Sequence, residues 1–215
     1  MGNGQRAGTA ALVLVLSGVS GAEAGIRTDR LSGKRLEAWR SIVAVVLAED
    51  RGGRPLHPAL RQLWDTVESS GHAVYVELPD SSGRSYVAGR FAVTKVDPEG
   101  RAHEAVVVLN LPVIDRVSTA SAAARADGFI PLQDLGKKAR YAEVLGHELA
   151  HAAWTFADAD RARFARPFSS ELGQLVSESR QNGAEVDRVS REVEAFAEAA
   201  EQVIWAELVA GQQAR

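Results

Sequence analysis

The sequence predicts an α+β chain: N-terminal helices, a small antiparallel sheet of about three strands, then helices to the C-terminus. Three observations predict this. Apolar residues recur at helical spacing over 31–49 and 58–70. After Gly71 the pattern changes to alternation and short apolar runs, the mark of strands. From about Leu135 the helical period returns and persists. With 215 residues, 46% apolar and 25% charged, the chain has the composition of a globular protein and the length for one ordinary domain over 25–215.

The first 24 residues read as a secretory signal peptide. Arg6 supplies the positive charge, Ala10 to Val19 the apolar run, and Ala22-Glu23-Ala24 the small-residue cleavage signature, with Gly25 as the first mature residue. The apolar run is about half of the ~20 residues that a spanning helix needs. The expected location is therefore periplasmic or secreted, with no stable membrane insertion after cleavage. The sequence has no cysteine, which excludes thiol chemistry and any cysteine-containing zinc site. Stability must then come from the core or from a bound metal.

Each later element has a local reason. Leu36, Trp39, Ile42, Val43, Val46 and Leu47 make a helical stripe over 31–49, with Ser32 placed to cap it. Arg51-Gly-Gly-Arg-Pro55 breaks that helix. Pro58 suits the first position of a second helix, which carries Leu60, Leu63, Trp64 and Val67 and stops at Gly71. Residues 73–78 alternate, 85–96 form a second β-like run, and Glu104 to Leu111 is nearly all apolar, as in a strand buried on both faces. The turns Pro79–Gly83 and Asp97–Gly100 are short enough to imply an antiparallel meander. A helix is expected over 136–156, weaker helical patterns on either side of Pro167, a break at Asn182-Gly183, and a last long helix over 185–209.

The chemistry lies in residues 147–151, His-Glu-Leu-Ala-His. On a helix, His147 and His151 project from one face, one turn apart, so two ring nitrogens can reach one Zn²⁺ at ~2.0–2.1 Å. Glu148 lies about 100° round the helix from His147. It can reach a metal-bound water without ligating the metal, and so act as general base and then as general acid to the leaving amine. From Val144 to Ala153 the sole charge is Glu148, as a buried active-site helix requires.

This motif resembles that of the zincin metallopeptidases. The metzincin extension is absent, since Trp154 and Ala157 stand where its glycine and third histidine would be. No histidine follows His151, so a downstream third ligand must be a carboxylate. That resembles the gluzincin branch, in which a glutamate on a later helix completes the site. The last helix offers Glu192, Glu194, Glu198 and Glu201. With Phe196 at zero and about 100° per residue, its apolar stripe spans about −20° to +80°. Glu192 falls at about −40°, on the edge of the stripe, and the other three at about 140° to 200°, on the far face. The string Arg191-Glu-Val-Glu-Ala-Phe196 is similar to the Arg-Glu-x-Glu-Ala-Asp signature of one gluzincin group, whose first glutamate binds zinc. Both point to Glu192 as third ligand, with Glu194 as the alternative and a solvated glutamate face as the bland one. Phe196 replaces the aspartate that, in that group, supports a zinc-ligating histidine, so this support is unfilled or moved elsewhere.

The resemblance implies a zincin-like fold, one Zn²⁺ per chain and hydrolysis of a peptide or protein substrate held extended along a sheet edge. The rival expectation is a non-catalytic, zinc-stabilised binding module of the cell envelope. A net charge of −3 and the lack of a long basic run argue against nucleic acid as a partner. Arg161, Arg163 and Arg166 read as a solvated helix face, Tyr141 as packing, and His57, His72 and His103 as surface or loop histidines.

Overall fold

The computed structural model describes residues 24–80, 87–96, 102–116, 135–158, 161 and 183–213, with side chains of the last segment described over 187–212. In chain order the elements are β1 (Gly25–Arg27), α1 (Gly33–Val46), α2 (Pro58–Glu68), β2 (Ala73–Glu77), β3 (Gly89–Val96), β4 (Ala102–Leu109), a short helix α3 (111–116), α4 (Lys137–Phe156) and α5 (Gly183–Gln213). α1, α2, α4, α5 and the strands β2 to β4 fall where the periodicity places them, whereas α3 and β1 carry no such signal. Residues 1–23 of the expected signal peptide, the turn at 97–100 and the helical patterns around Pro167 lie outside the described residues. No helix among the described residues is long and apolar enough to cross a membrane.

The sheet corrects one expectation. It has four strands in the order β1-β2-β4-β3 and is mixed, not an antiparallel meander of three. β3 and β4 do pair antiparallel, with Phe91 opposite Val107. β2 instead lies parallel to β4, with Val74 opposite Ala105 and Val76 opposite Val107. β1 adds in parallel outside β2. The physical reason is in β4, where Ala105, Val106, Val107 and Leu109 are all fully buried. A strand that apolar belongs in the middle, with neighbours on both edges, as in parallel sheets. β1 has three residues, too few for a periodic signal.

One face of this sheet carries α4. The hydrophobic core joins Ile42 and Val46 of α1, Leu60 and Val67 of α2, the inward residues of β2 to β4, Leu145 and Leu149 of α4, and Ile204 and Leu208 of α5. Trp39 stacks on Trp64 at 5.9 Å, tying α1 to α2. Phe156 anchors the end of α4, stacked on His72 at 4.4 Å and edge-on to Phe91 at 6.1 Å. At its other end, Tyr141 donates to Asp115 at 2.8 Å and Lys137 pairs with the same carboxylate.

α5 runs antiparallel to α4, bringing residue 201 beside 147 and residue 194 beside 151. The approach is close because residue 146 is glycine. A Cβ there would sit 2.5 Å from Ile204 Cδ1 and 3.1 Å from Leu60 Cδ1. Further along α5, the Glu207 carboxylate accepts the Ala59 N–H at 2.9 Å and so caps α2. That fixes the helix in rotation as well as in distance, because a free helix N-terminus has N–H groups in need of acceptors.

Gly146→Val should overpack this junction. The expected loss is about 1–3 kcal/mol of unfolding free energy in a denaturant titration. Gly146→Ala should cost less, because the nearest obstacle is the mobile end of one isoleucine. Equal stability of all three proteins would show that α4 and α5 are not set by this contact.

Candidate metal centre

α4 presents His147 and His151 from the same face, as helical spacing requires. Their Nε2 atoms are 3.1 Å apart. Glu194 Oε2 of α5 lies 3.8 Å from His147 Nε2 and 3.7 Å from His151 Nε2. A point equidistant from these three atoms lies about 2.1 Å from each, which is the ligand distance of zinc. Two imidazole nitrogens and one carboxylate oxygen are also a donor set that zinc accepts, with a fourth position left for water or substrate. Among the described residues, His147, His151 and Glu194 form the group whose ligand atoms converge in this way.

Glu192, the third ligand that the sequence favours, is not in this group, and Glu194, the alternative, is. The Glu192 carboxylate accepts from Arg188 on the exposed side of α5. The difference is rotational. Phe196, the centre of the apolar stripe, is 43% exposed, and Val203, two turns on, is 51% exposed. The buried line runs through Val189, Ala197, Ile204 and Leu208. With Ala197 at zero, Glu201 lies at about 40°, Glu194 at about 60°, and Glu192 at about 140° round the other way. A small residue, Ala197, marks the packed face here, and large apolar residues on the outside misdirect a hydrophobicity count.

His147 has a second partner, Glu201 Oε2, 2.9 Å from its Nδ1. With Nδ1–H donating to that carboxylate, Nε2 keeps its lone pair for a metal, a tautomer assigned from the hydrogen-bond network. The same contact raises the His147 pKa above its usual value, against the lowering effect of burial. Glu201 thus stands behind His147 as a carboxylate partner, a position that Phe196 does not occupy. Sequence reasoning placed Glu201 on the far face and missed it. Its spacing from Glu194, two helical turns, was the available signal. His151 is partly buried, and desolvation together with the neighbouring His147 lowers its pKa to about 4. It is therefore neutral at physiological pH, the form that ligates metals.

Glu148 points to another side of α4, towards the sheet. It is 5% exposed. Burial raises its pKa to about 7, opposed by the charge of His147 and by the Phe91 N–H that its carboxylate accepts. β3 can come this close because residue 89 is glycine. A Cβ at Gly89 would overlap the Glu148 carboxylate and lie 2.7 Å from Val144 Cγ1. Ala88 turns its carbonyl inward to Asn110, so by strand alternation Gly89 and Phe91 turn theirs outward. β3 is an edge strand of the sheet, and its outer edge faces Glu148.

The remaining candidates lie elsewhere. His57 precedes α2 and packs against Gly211, His72 stacks on Phe156, and His103 is exposed on β4. Tyr141 is buried and bonded to Asp115. Arg161 lies over the Trp154 ring at 4.6 Å and donates to the Trp154 carbonyl at 3.1 Å. Arg163 and Arg166 lie outside the described residues. Compared with protein-family models, curated proteins and solved structures, the chain matches none.

Zinc titration by calorimetry or a competing chelator distinguishes the glutamates. Glu194→Gln should lose high-affinity zinc binding, and Glu192→Gln should keep it. Glu201→Gln should weaken it by about 10–100-fold, the usual effect of removing a histidine's supporting carboxylate. Wild-type affinity in Glu194→Gln would remove that residue from the site.

Proposed function

We propose that this chain is a gluzincin-like zinc peptidase with a zincin-like fold, exported to the periplasm or the exterior. The observation that carries the reading is the convergence of His147, His151 and Glu194 beside a buried Glu148 carboxylate that lies against an edge strand. Zinc, when bound, supplies a Lewis acid that polarises a carbonyl and acidifies a coordinated water.

The chain's own residues supply the rest. His147 and His151 offer neutral nitrogens, and Glu201 orients the first of them. Glu194 brings a negative charge that partly offsets a dication. Glu148 accepts a proton from the attacking water and returns it to the leaving amine. Its pKa near 7 suits both directions of that transfer, and a nearby cation would favour its ionised form. The Phe91 N–H holds the carboxylate in place.

The outer edge of β3 gives the substrate its direction. A peptide laid along this edge would pair with the outward carbonyls of Gly89 and Phe91, as a strand added to the sheet. Main-chain pairing reads an extended peptide and not a particular side chain, so it supports a peptide or protein as the substrate class. It also places a scissile carbonyl near Glu148, because the same strand touches that carboxylate.

Glu148→Gln is the deciding variant. It should bind one zinc per chain with near wild-type affinity and lose at least about 100-fold in hydrolysis of an unfolded protein such as casein. Gly89→Val should also retain zinc and lose activity, since the new side chain displaces Glu148. Full activity in Glu148→Gln would overturn the mechanism. Zinc binding with no cleavage of any peptide by the wild-type protein would favour the zinc-stabilised binding module.

A further inference from the structure

The start of the described chain carries a separate site. Ala24 is exposed, and Gly25, the next residue, is buried. The Gly25 nitrogen donates to the His72 carbonyl at 2.8 Å. Its φ of 96° lies in the left-handed region that favours glycine. The Gly25 Cα packs against the last residue of α2: a Cβ would overlap the Glu68 carboxylate and lie 3.4 Å from the Glu68 carbonyl oxygen. Glu68 Oε2 also accepts the Ile26 N–H at 2.7 Å. The His72 carbonyl therefore meets the Gly25 nitrogen, and the Glu68 carboxylate and the carbonyl end of α2 lie beside the Gly25 Cα, with the carboxylate bonded to the very next N–H. Each favours a cation, and a helix C-terminus does so in general. An amide N–H supplies one donor and no charge to this setting, whereas an ammonium supplies three donors and a full positive charge.

The sequence puts a cleavage signature at the same bond, Ala22-Glu23-Ala24 before Gly25. We propose that the chain is cleaved between Ala24 and Gly25, and that the new Gly25 α-ammonium is held by the Glu68 carboxylate and the His72 carbonyl. The step is hydrolysis of one amide by a host endopeptidase. Water adds its oxygen to the Ala24 carbonyl carbon, leaving a carboxylate, and the Gly25 nitrogen departs as an ammonium. The Gly25 nitrogen already meets the His72 carbonyl, so the product needs no rearrangement to find that partner. Processing thereby turns a strand end into an ion pair that closes the β1 side of the sheet. The charged groups around this point are Glu68 from α2 and, on β1 and the turn after it, Arg27 and Asp29, which pair with each other at 3.5 Å. From the turn into β2 comes His72, whose ring stacks on Phe156. This inference rests on the leader sequence and β1, and is independent of the metal centre.

The test uses the full chain expressed in an exporting bacterium. Intact mass of the exported protein should correspond to residues 25–215, and any other N-terminus overturns the proposal. The pH dependence of acylation of the α-amino group should then give a pKa at least one unit above the ordinary 7.7–8.0, or about fivefold slower acylation at pH 8. In Glu68→Gln, which keeps an oxygen for the Ile26 N–H, the rate should return to the ordinary range. An ordinary rate in the wild-type protein overturns the lock. If Glu68→Gln does not fold, comparing the folded wild-type protein with a free Gly-Ile-Arg-Thr peptide decides: equal rates overturn it, slower acylation in the protein supports it.

Discussion

Gly146 lets Ile204 of α5 lie against the backbone of α4 with no Cβ between them. The placement of every functional group on α5 depends on that contact. A helix side chain reaches only a few ångströms, and the carboxylates of Glu194 and Glu201 must meet histidines on a different helix. Antiparallel seating puts Glu194 and Glu201 at the heights of His151 and His147. Rotation about the helix axis then decides which glutamates face in. Ile204 and Leu208, packed in the core, set that rotation, and Glu207 on the end of α2 holds it.

The electrostatics of the site follow from its crowding. Glu148, Glu194 and Glu201 all lie near His147, and the charges of Glu194 and Glu201 add to the burial that raises the Glu148 pKa. Carboxylates gathered at a partly buried place repel one another and lose solvation, which is costly without a compensating cation. A protonated His147 relieves part of this, and its raised pKa records the relief. A dication between the histidines and Glu194 would relieve more of it. Under the proposed reading, metal binding and folding are thus coupled through the α4–α5 contact, because the ligands come from both helices.

The sheet serves the site through one strand. β4 takes an inner place because its run from Ala105 to Leu109 has no polar face to offer solvent. β3 is left on the edge, beside α4. Gly89 then removes the one obstacle between that edge and Glu148, and the Phe91 N–H turns a close approach into a hydrogen bond. An edge strand with outward backbone groups invites another strand. Here that edge lies against the buried carboxylate, which is why the substrate reading and the acid–base reading concern the same few residues.

Local information in the sequence determined a good deal. Helical period and caps placed α1, α2, α4 and α5. Alternation and apolar runs placed β2, β3 and β4, and the four-residue spacing put His147 and His151 on one face with Glu148 to the side. All of these depend on neighbours within a turn or two of chain, where geometry is fixed by the backbone. Only the tertiary structure decided how separate elements meet. Strand order could not be read from loop lengths, since β2 passes over its sequence neighbour to lie beside β4. Which carboxylate meets the histidines could not be read from a hydrophobicity count, because Phe196 and Val203 face outward while Ala197 faces in. Packing selects the face that fits against Gly146, not the face with the largest apolar side chains. That one rotation of α5 puts Glu194 at the site with Glu201 behind His147, and leaves Glu192 outside with Arg188.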